Sequence, residues 1–123
     1  MDRVFVVLGA VLAALGVAAG AFGAHALRGR LAPEFLEVFE IGVRYHLIHA
    51  LALFAVAWAT TRWPGPATIV PGWLFLAGTL FFSGSLYALS LSGARALGAI
   101  TPFGGIAFIA GWLVLGWAVW LRR

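Results

Sequence analysis

One group of ionisable side chains, at the start of a long apolar stretch, is the part of this sequence best suited to chemistry. On a helix, Glu40 and Arg44 are four residues apart and share one side, which allows them to form an ion pair. His46 and His49 are three residues apart and lie on nearly the opposite side. His49 is ~7.5 Å deeper than Arg44 along the axis. Ionisable residues at such depth in an apolar helix raise the question of a function.

Three uses of these histidines compete. The one that the sequence favours is structural: neutral imidazoles hydrogen-bonded to hydroxyl groups of a neighbouring helix, with the candidates Ser83, Ser85, Tyr87 and Thr101. The second is a path for protons or solutes, because imidazoles titrate near neutrality and Glu40 and Arg44 are close in sequence. The third is metal or haem ligation, with His25 completing a set of three. Because no ligand motif is present, we predict no metal and no cofactor.

The sequence gives little support for a hydrolytic site or a phosphate-binding loop. Ser83, Gly84 and Ser85 lie in an apolar helix rather than in the strand-turn-helix of a nucleophile elbow. The glycine-rich stretch 98–105 lacks the lysine of a phosphate loop and follows no strand, so it predicts a bent helix entry. Cysteine is absent, which excludes thiolate chemistry. We therefore predict a protein that is not an enzyme.

The composition predicts a membrane environment for these residues. Of 123 residues, 63% are hydrophobic and 10% are charged, and the mean hydropathy is +1.04. Soluble domains carry about a quarter charged residues. A chain this short cannot hide so much apolar surface from water, so the lipid bilayer is its predicted partner. The net charge of +4 comes from scattered basic residues without interleaved aromatics, which argues against nucleic-acid binding.

Four stretches are long enough to cross a bilayer, which takes about 20 apolar residues. They cover residues 4–24, 43–61, 71–92 and 103–121. Short connections predict a single all-α domain over residues 1–123, a polytopic four-transmembrane-helix up-down-up-down bundle with both termini on one side. The first stretch resembles a signal peptide, but its apolar run is too long for one. Prolines predict where helices begin: the second at Pro33, the third at Pro71 and the fourth near Pro102.

Tryptophans and polar residues separate to opposite ends of this bundle. The terminal side has Trp58, Trp63, Trp73, Trp117 and Trp120, which predicts an aromatic belt at one interface. The other side collects the polar residues, including His25, Tyr45, Ser83 and Thr101. Basic residues are nearly balanced between the two sides. Arg122 and Arg123, next to the fourth stretch, favour cytoplasmic termini in a bacterial inner membrane.

Small residues recur at spacings of three and four in the first stretch, and the third and fourth stretches offer further small residues. Such stripes let helix backbones approach closely, and packing inside the bundle is their simplest use. A second use is an interface between subunits, which predicts an oligomer or contacts with other membrane proteins. The helix-packing candidates are Gly9, Gly16, Gly20, Gly23, Gly84, Gly104 and Gly111.

Four motifs together resemble the small bacterial YgdD-like membrane proteins. They are Gly20–Leu27 (GAFGAHAL), Phe39–His46 (FEIGVRYH) followed by His49-Ala50-Leu51, Phe82–Tyr87 (FSGSLY) and Gly98–Gly105 (GAITPFGG). The resemblance spans the chain and implies four helices, but it implies no substrate and no catalytic residue, because that family is one of unknown function. It also implies that His25, Glu40, Arg44, Tyr45, His49, Ser83 and Thr101 occupy motif positions.

The sequence favours a non-enzymatic, oligomeric assembly or interaction partner in the inner membrane. The alternative is a small transporter or channel that uses the histidines, Glu40 and Arg44 between helices one and two. Small multidrug exporters place a carboxylate within their first span, and residues 4–24 contain none, which argues against that reading. A metal- or haem-binding protein is the third hypothesis.

Overall fold

The computed structural model describes residues 1–122, which form helices and turns without a strand among them. Four segments are long and apolar enough to cross a membrane, and we name them the first to fourth spans: Asp2–Leu27, Pro33–Arg62, Pro66–Ser92 and Arg95–Trp120. This confirms the predicted all-α, four-span membrane protein. Arg123, counted above for orientation, lies outside the described residues.

Both described ends of the chain lie beside the connection between the second and third spans. The guanidinium of Arg122 donates to the carbonyl oxygen of Pro64. Met1 lines a surface depression together with Thr61 and Gly65 of the same region. The spans therefore run up, down, up and down, because each short connection reverses the chain.

Helix boundaries follow the prolines at some ends and not at others. The second span begins at Pro33, as predicted, because proline suits the first turn, where an N–H has no helical partner. The predicted start of the third helix at Pro71 is wrong: the helix begins at Pro66, and Pro71 lies inside it. The hydroxyl of Thr68 donates to the carbonyls of Trp63 (2.8 Å) and Gly65 (2.9 Å), which holds the turn before this earlier start.

Two spans contain a wide π-helical turn. The first span is an α-helix over Asp2–Phe22 that continues as a π-helical turn at Gly23–Leu27. The third consists of Pro66–Gly78, a π-helical turn at Thr79–Ser83, and Gly84–Ser92. A π-helical turn changes which side chains face a neighbour, and it carries no strong sequence signal. The fourth span enters through a 3₁₀ turn at Arg95–Ala99 before its α-helix, Thr101–Trp120.

The second and third spans form the centre of the bundle. In the most apolar 18 residues of each span, 44% of the second and 39% of the third are buried, against 17% of the first and 22% of the fourth. The first span packs on the second, the second on the third, and the third on the fourth. The buried core between them is formed by Phe5, Ala52, Leu53, Val56, Ala57, Phe75 and Phe108. The outer surface is apolar, as lipid contact requires.

The glycine stripe of the first span packs against the second span. A Cβ atom at Gly9 would lie 3.0 Å from the carbonyl oxygen of Ala50. A Cβ at Gly16 would lie 2.5 Å from Cδ2 of Leu47. Gly20 and Gly23 face the second span in the same way. These glycines let the two helices approach closely inside one molecule.

Glycines of the fourth span serve the contact with the third span. A Cβ at Gly111 would lie 2.6 Å from the ring of Phe75, and one at Gly104 would overlap the backbone of Phe82. By contrast, Cβ atoms at Gly84 and Gly116 would have no neighbour within 4 Å. The two classes of glycine make a direct test of the packing possible.

We expect Gly104→Ala to destabilise the bundle by about 1–3 kcal/mol, the usual cost of overpacking, since the backbone of Phe82 cannot move out of the way easily. Gly84→Ala is the matched control and should be neutral or slightly stabilising, because alanine favours helices and meets open space there. Thermal unfolding in detergent measures both. Equal stability of the two variants would contradict the packing described for the third and fourth spans.

Candidate functional site

His46 links three spans through its two ring nitrogens. Nε2 lies 2.7 Å from the carbonyl oxygen of Leu12 in the first span, and Nδ1 lies 2.8 Å from the hydroxyl of Tyr87 in the third span. Because a carbonyl only accepts, Nε2 carries the hydrogen and donates it. In the neutral ring Nδ1 then accepts, so the hydroxyl of Tyr87 donates. The side chain is 5% exposed, and each nitrogen has one partner.

His46 can reach the carbonyl of Leu12 because the first span approaches the second closely. A Cβ at Gly16 would lie 3.4 Å from Cδ2 of His46, so a larger residue there would crowd the imidazole that reaches Leu12. On the other side, a Cβ at Gly42 would lie 2.9 Å from Cε1 of Tyr87. Glycine on both sides therefore leaves room for the His46 and Tyr87 rings.

His49 links the second span to the fourth and has the opposite tautomer. The indole N–H of Trp112 donates to its Nε2 at 3.0 Å, so Nε2 carries no hydrogen. Nδ1 then carries the hydrogen and donates to the carbonyl oxygen of Tyr45 at 2.7 Å. The ring also stacks on Phe108, with 3.5 Å between centroids and 8° between planes. The imidazole is held neutral and fixed in orientation.

Three hydroxyl groups complete the polar contacts between spans. Ser83 donates to the carbonyl oxygen of Gly42 in the second span at 2.7 Å. The hydroxyls of Ser85 and Thr101 are 2.6 Å apart and connect the third span to the fourth. Within residues 1–122, every buried side-chain nitrogen and oxygen has a hydrogen-bond partner. We name this set the polar layer: His46, His49, Ser83, Ser85, Tyr87, Thr101 and Trp112.

The structure separates the other predicted site residues from the polar layer. His25, Glu40 and Arg44 are exposed on the outside of the bundle, and Tyr45 is 39% exposed. In residues 1–122 no three histidine or acidic side chains come close enough to hold a metal ion, so the imagined set of His25, His46 and His49 does not form. A metal ion could reach His46 or His49 only if an existing hydrogen bond were broken.

The expected ion pair between Glu40 and Arg44 is also not formed. Among the described residues, the ion pairs join the terminal amino group to Asp2 at 3.6 Å and Arg95 to Glu34 at 2.9 Å. A spacing of four residues permits a pair, but two exposed side chains gain little from it and lose freedom. The Arg95–Glu34 pair connects the start of the second span to the start of the fourth.

Two surface depressions lie end to end on the outside of the bundle between the second and fourth spans, and we name them together the lateral groove. Its first part is a cavity of about 350 Å³ lined by Tyr45, His49, Phe82, Gly105, Phe108, Ile109 and Trp112. Its second part, about 380 Å³, is lined by Ala55, Trp58, Ala59, Trp63, Trp112, Leu115, Gly116 and Val119. Trp112 lines both parts. The groove exists because the second and fourth spans both pack on the third, while their backbones make little close contact with each other.

These features define a small polytopic membrane protein whose buried polar side chains are hydrogen-bonded within the bundle. Comparison with known proteins gives its family. Residues 19–105 match the family described as "Protein of unknown function (DUF423)". The chain belongs to the DUF423 family. The family is thus one of unknown function, as the resemblance implied, and the more specific name YgdD-like stays a prediction. No solved structure matches this chain significantly.

Curated relatives of this chain are described as UPF0382 membrane proteins. The UPF0382 membrane protein YwdK of Bacillus subtilis is 48% identical over 114 residues, which cover 92% of this chain and 93% of the relative. A UPF0382 membrane protein of Staphylococcus haemolyticus is 45% identical over 116 residues, 92% of each chain. One of Staphylococcus epidermidis is 45% identical over the same length. The names of these bacterial relatives agree with the four membrane-length helices found here.

Sequence reasoning offered four hydroxyl groups as partners of the histidines, and among the described residues Tyr87 is the one that bonds to a histidine. Ser83 instead donates to the backbone of Gly42, and Ser85 and Thr101 bond to each other.

The partners Leu12 and Trp112 were missed. The Leu12 contact uses a backbone carbonyl, which every residue has, so side-chain type gives no signal for it. Trp112 did carry a signal. It is near the middle of the fourth span, away from the interfaces that tryptophan favours, and an indole N–H in the hydrocarbon region, where water is absent, needs an acceptor.

The opposite tautomers of the two histidines can be observed directly. In ¹⁵N-histidine solid-state NMR of the protein in lipid, we expect Nδ1 of His46 and Nε2 of His49 to be the unprotonated nitrogens. Tyr87→Phe removes the donor to His46 and should shift only the His46 resonances, while Trp112→Phe should shift only those of His49. Each loss should cost roughly 1 kcal/mol of stability. Identical tautomers for both rings would contradict these hydrogen bonds.

Proposed function

We propose that this protein is a non-enzymatic membrane protein that acts by lateral association with other transmembrane helices, either its own copies or other proteins of the bacterial inner membrane. The observation that carries the proposal is the lateral groove. A helix surface that the chain's own helices leave uncovered, along most of a span, is suited to receive another helix.

The length of the groove favours a helix over a lipid chain as its occupant. From Tyr45 to Trp63 the second span rises ~27 Å, close to the bilayer's hydrocarbon thickness of about 30 Å. A lipid acyl chain belongs to one leaflet and reaches about half that depth. Small residues at Ala55, Ala59, Gly105 and Gly116 lower the groove floor, as at transmembrane helix contacts.

The interior supports association better than transport or ligation. A proton path needs groups that can change partners, whereas both nitrogens of His46 and His49 are engaged inside the bundle. Glu40 and Arg44, the other members of the supposed transport cluster, face outward. Haem or metal ligation by His46 or His49 would need a free imidazole nitrogen, and within residues 1–122 the exposed His25 belongs to no group of three potential ligands. Neither function has an observation in its favour beyond the residue types.

A photoreactive amino acid at Ile109, in the lateral groove, tests the proposal in living cells. We expect ultraviolet light to produce a protein adduct of defined mass, whose partner mass spectrometry identifies, because a helix seated in the groove lies within reach. Leu15 is the matched control: it is similarly apolar and exposed, on the first span, and lines neither part of the groove. That position should yield lipid adducts only.

Filling the groove provides the second arm of this experiment. Gly116→Leu should abolish the adduct from position 109, whereas Gly84→Leu, at another glycine without neighbours, should leave it unchanged. If position 109 gives no protein adduct in the otherwise unchanged chain, lateral association through the groove is wrong.

The proposed orientation has its own test, made simple by the absence of cysteine. With cytoplasmic termini, Thr61→Cys on the terminal side should resist a membrane-impermeant maleimide in intact cells, and Ala32→Cys on the opposite side should react. Both positions are exposed. Permeabilised cells, in which both should react, serve as the control. The reverse pattern of labelling would place the termini outside.

A further inference from the structure

The hydrogen bond between His49 and Trp112 joins the second and fourth spans, whose backbones make little close contact with each other. Both side chains line the first part of the lateral groove. His49 also stacks on Phe108 of the fourth span, with 3.5 Å between the ring centroids. The position of the fourth span against the second therefore depends on side-chain contacts, and His49 makes two of them.

The bond between His49 and Trp112 has no place for a second proton on the imidazole. Nε2 of His49 accepts the indole N–H, while Nδ1 donates to the carbonyl oxygen of Tyr45. A protonated imidazole donates from both nitrogens, and an indole nitrogen can only donate. Two donors would then face each other at 3.0 Å. The proton is bound more strongly once Nε2 has left the indole, so acid favours the arrangement in which this bond is broken.

His46 differs from His49 in this respect, although both rings are buried. Nδ1 of His46 lies 2.8 Å from the hydroxyl of Tyr87, and a hydroxyl accepts as well as donates. A protonated His46 would donate to Tyr87 and would still donate from Nε2 to the carbonyl oxygen of Leu12. Both links of His46 therefore survive protonation with one donor reversed, whereas His49 must lose its link to the fourth span.

The groups around His49 offer no negative charge that would hold a proton inside the bundle. Its ring neighbours are Tyr45 of the second span, Phe75 of the third, and Phe108 and Trp112 of the fourth. Phenols are neutral in the acidic and neutral pH range. Within residues 1–122 His49 forms no ion pair.

The other ionisable groups of the packed spans lie elsewhere along each span. On the first and second spans they are Asp2, Arg3, His25, Glu34, Glu37, Glu40, Arg44, His46 and Arg62, and on the third and fourth they are Tyr87 and Arg95. Glu40 and Arg44 are exposed on the outside of the bundle. An imidazolium at position 49 is therefore stable only if it turns towards the membrane interface.

We propose that the His49–Trp112 hydrogen bond is an acid-sensitive latch on the lateral groove, which holds the fourth span against the second near neutrality and is released when His49 is protonated. The inference rests on the proposed function in that it names a regulation of the same groove. His49 is ~7.5 Å deeper than Arg44 along the axis. Tyr45, one turn closer to the interface, lines the same cavity. A released imidazolium therefore has a short way to the headgroups, where polar tips of buried side chains settle.

Release of the latch changes the whole lateral groove. Trp112 lines both of its parts, and His49 and Phe108 line the first. Once the indole is free, the fourth span loses its hydrogen bond to the second at this level. A helix that approaches the groove then meets a wider and less ordered surface in acid than near neutrality.

Two spin labels measure the latch within a single chain, because the sequence contains no cysteine of its own. Leu51→Cys on the second span and Leu113→Cys on the fourth are exposed positions that line neither part of the groove. Pulsed electron paramagnetic resonance gives the distance between the labels in phosphatidylcholine vesicles, with unlabelled protein in excess so that distances between copies do not contribute.

Acid should shift the measured distances towards a longer separation. From about pH 7.5 to about pH 5, we expect the ratio of the longer to the shorter distance to rise about tenfold. One proton on an imidazole that titrates near 6.5 in water sets an upper limit of about 30-fold.

Variants assign this response to the latch. His49→Gln removes the titrating ring and Trp112→Phe removes the indole donor, so each should abolish the dependence on pH. His46→Gln is the matched control, the same change one turn away, and should keep it. His25→Gln, at an exposed position of the first span, is a second control that should also keep it. Circular dichroism checks that each variant is folded at both pH values.

The latch is overturned if the distances in the otherwise unchanged chain do not depend on pH, if His49→Gln or Trp112→Phe still responds, or if a folded control variant loses the response. None of these measurements needs a partner helix. A pH response without a protein adduct from position 109 would leave the latch in place and remove the proposed function. An adduct without a pH response would do the reverse, so the two failures are distinguishable.

Discussion

Every polar group inside a membrane bundle must find its hydrogen-bond partner within the protein, and this constraint organises the structure around two histidines. Water is not available in the hydrocarbon region, and an unpaired polar group there is costly. His46 and His49 meet the constraint with four hydrogen bonds to four residues, in Leu12, Tyr87, Tyr45 and Trp112. Three of those bonds reach the first, third and fourth spans, and the bond to Tyr45 stays within the second span, so the second span connects all the others.

The small residues follow from the same constraint. An imidazole spans a short distance, so the helices that it joins must approach closely, and Gly16 and Gly42 provide the space beside His46 and Tyr87. The π-helical turn at Thr79–Ser83 precedes the helix that carries Tyr87, and its last residue, Ser83, bonds to the carbonyl of Gly42. Close packing and polar satisfaction therefore support each other between the second and third spans.

Unlike the interior, the outside of the bundle has helix surface that no other span covers and charges that form no ion pair. The first and fourth spans lie at the periphery, and the second and fourth leave the lateral groove between them. Glu40 and Arg44 form no ion pair on the adjoining face, whereas no buried side-chain nitrogen or oxygen in residues 1–122 lacks a hydrogen-bond partner. The groups without partners therefore lie on the lipid-facing surface and not in the interior, where the sequence had suggested a site.

The sequence by itself determined the features that depend on one helix at a time. Apolar length gave four spans, Pro33 marked the start of the second, and the spacing of His46 and His49 placed them on one side. Tertiary structure alone decided which neighbours each face meets. It paired the histidines with Leu12 and Trp112, left Glu40 and Arg44 without an ion pair, left His25 outside, and placed Pro71 within a helix. The physical reason is that periodicity fixes a residue's angle on its own helix, while the rotation and approach of neighbouring helices depend on packing across the whole bundle.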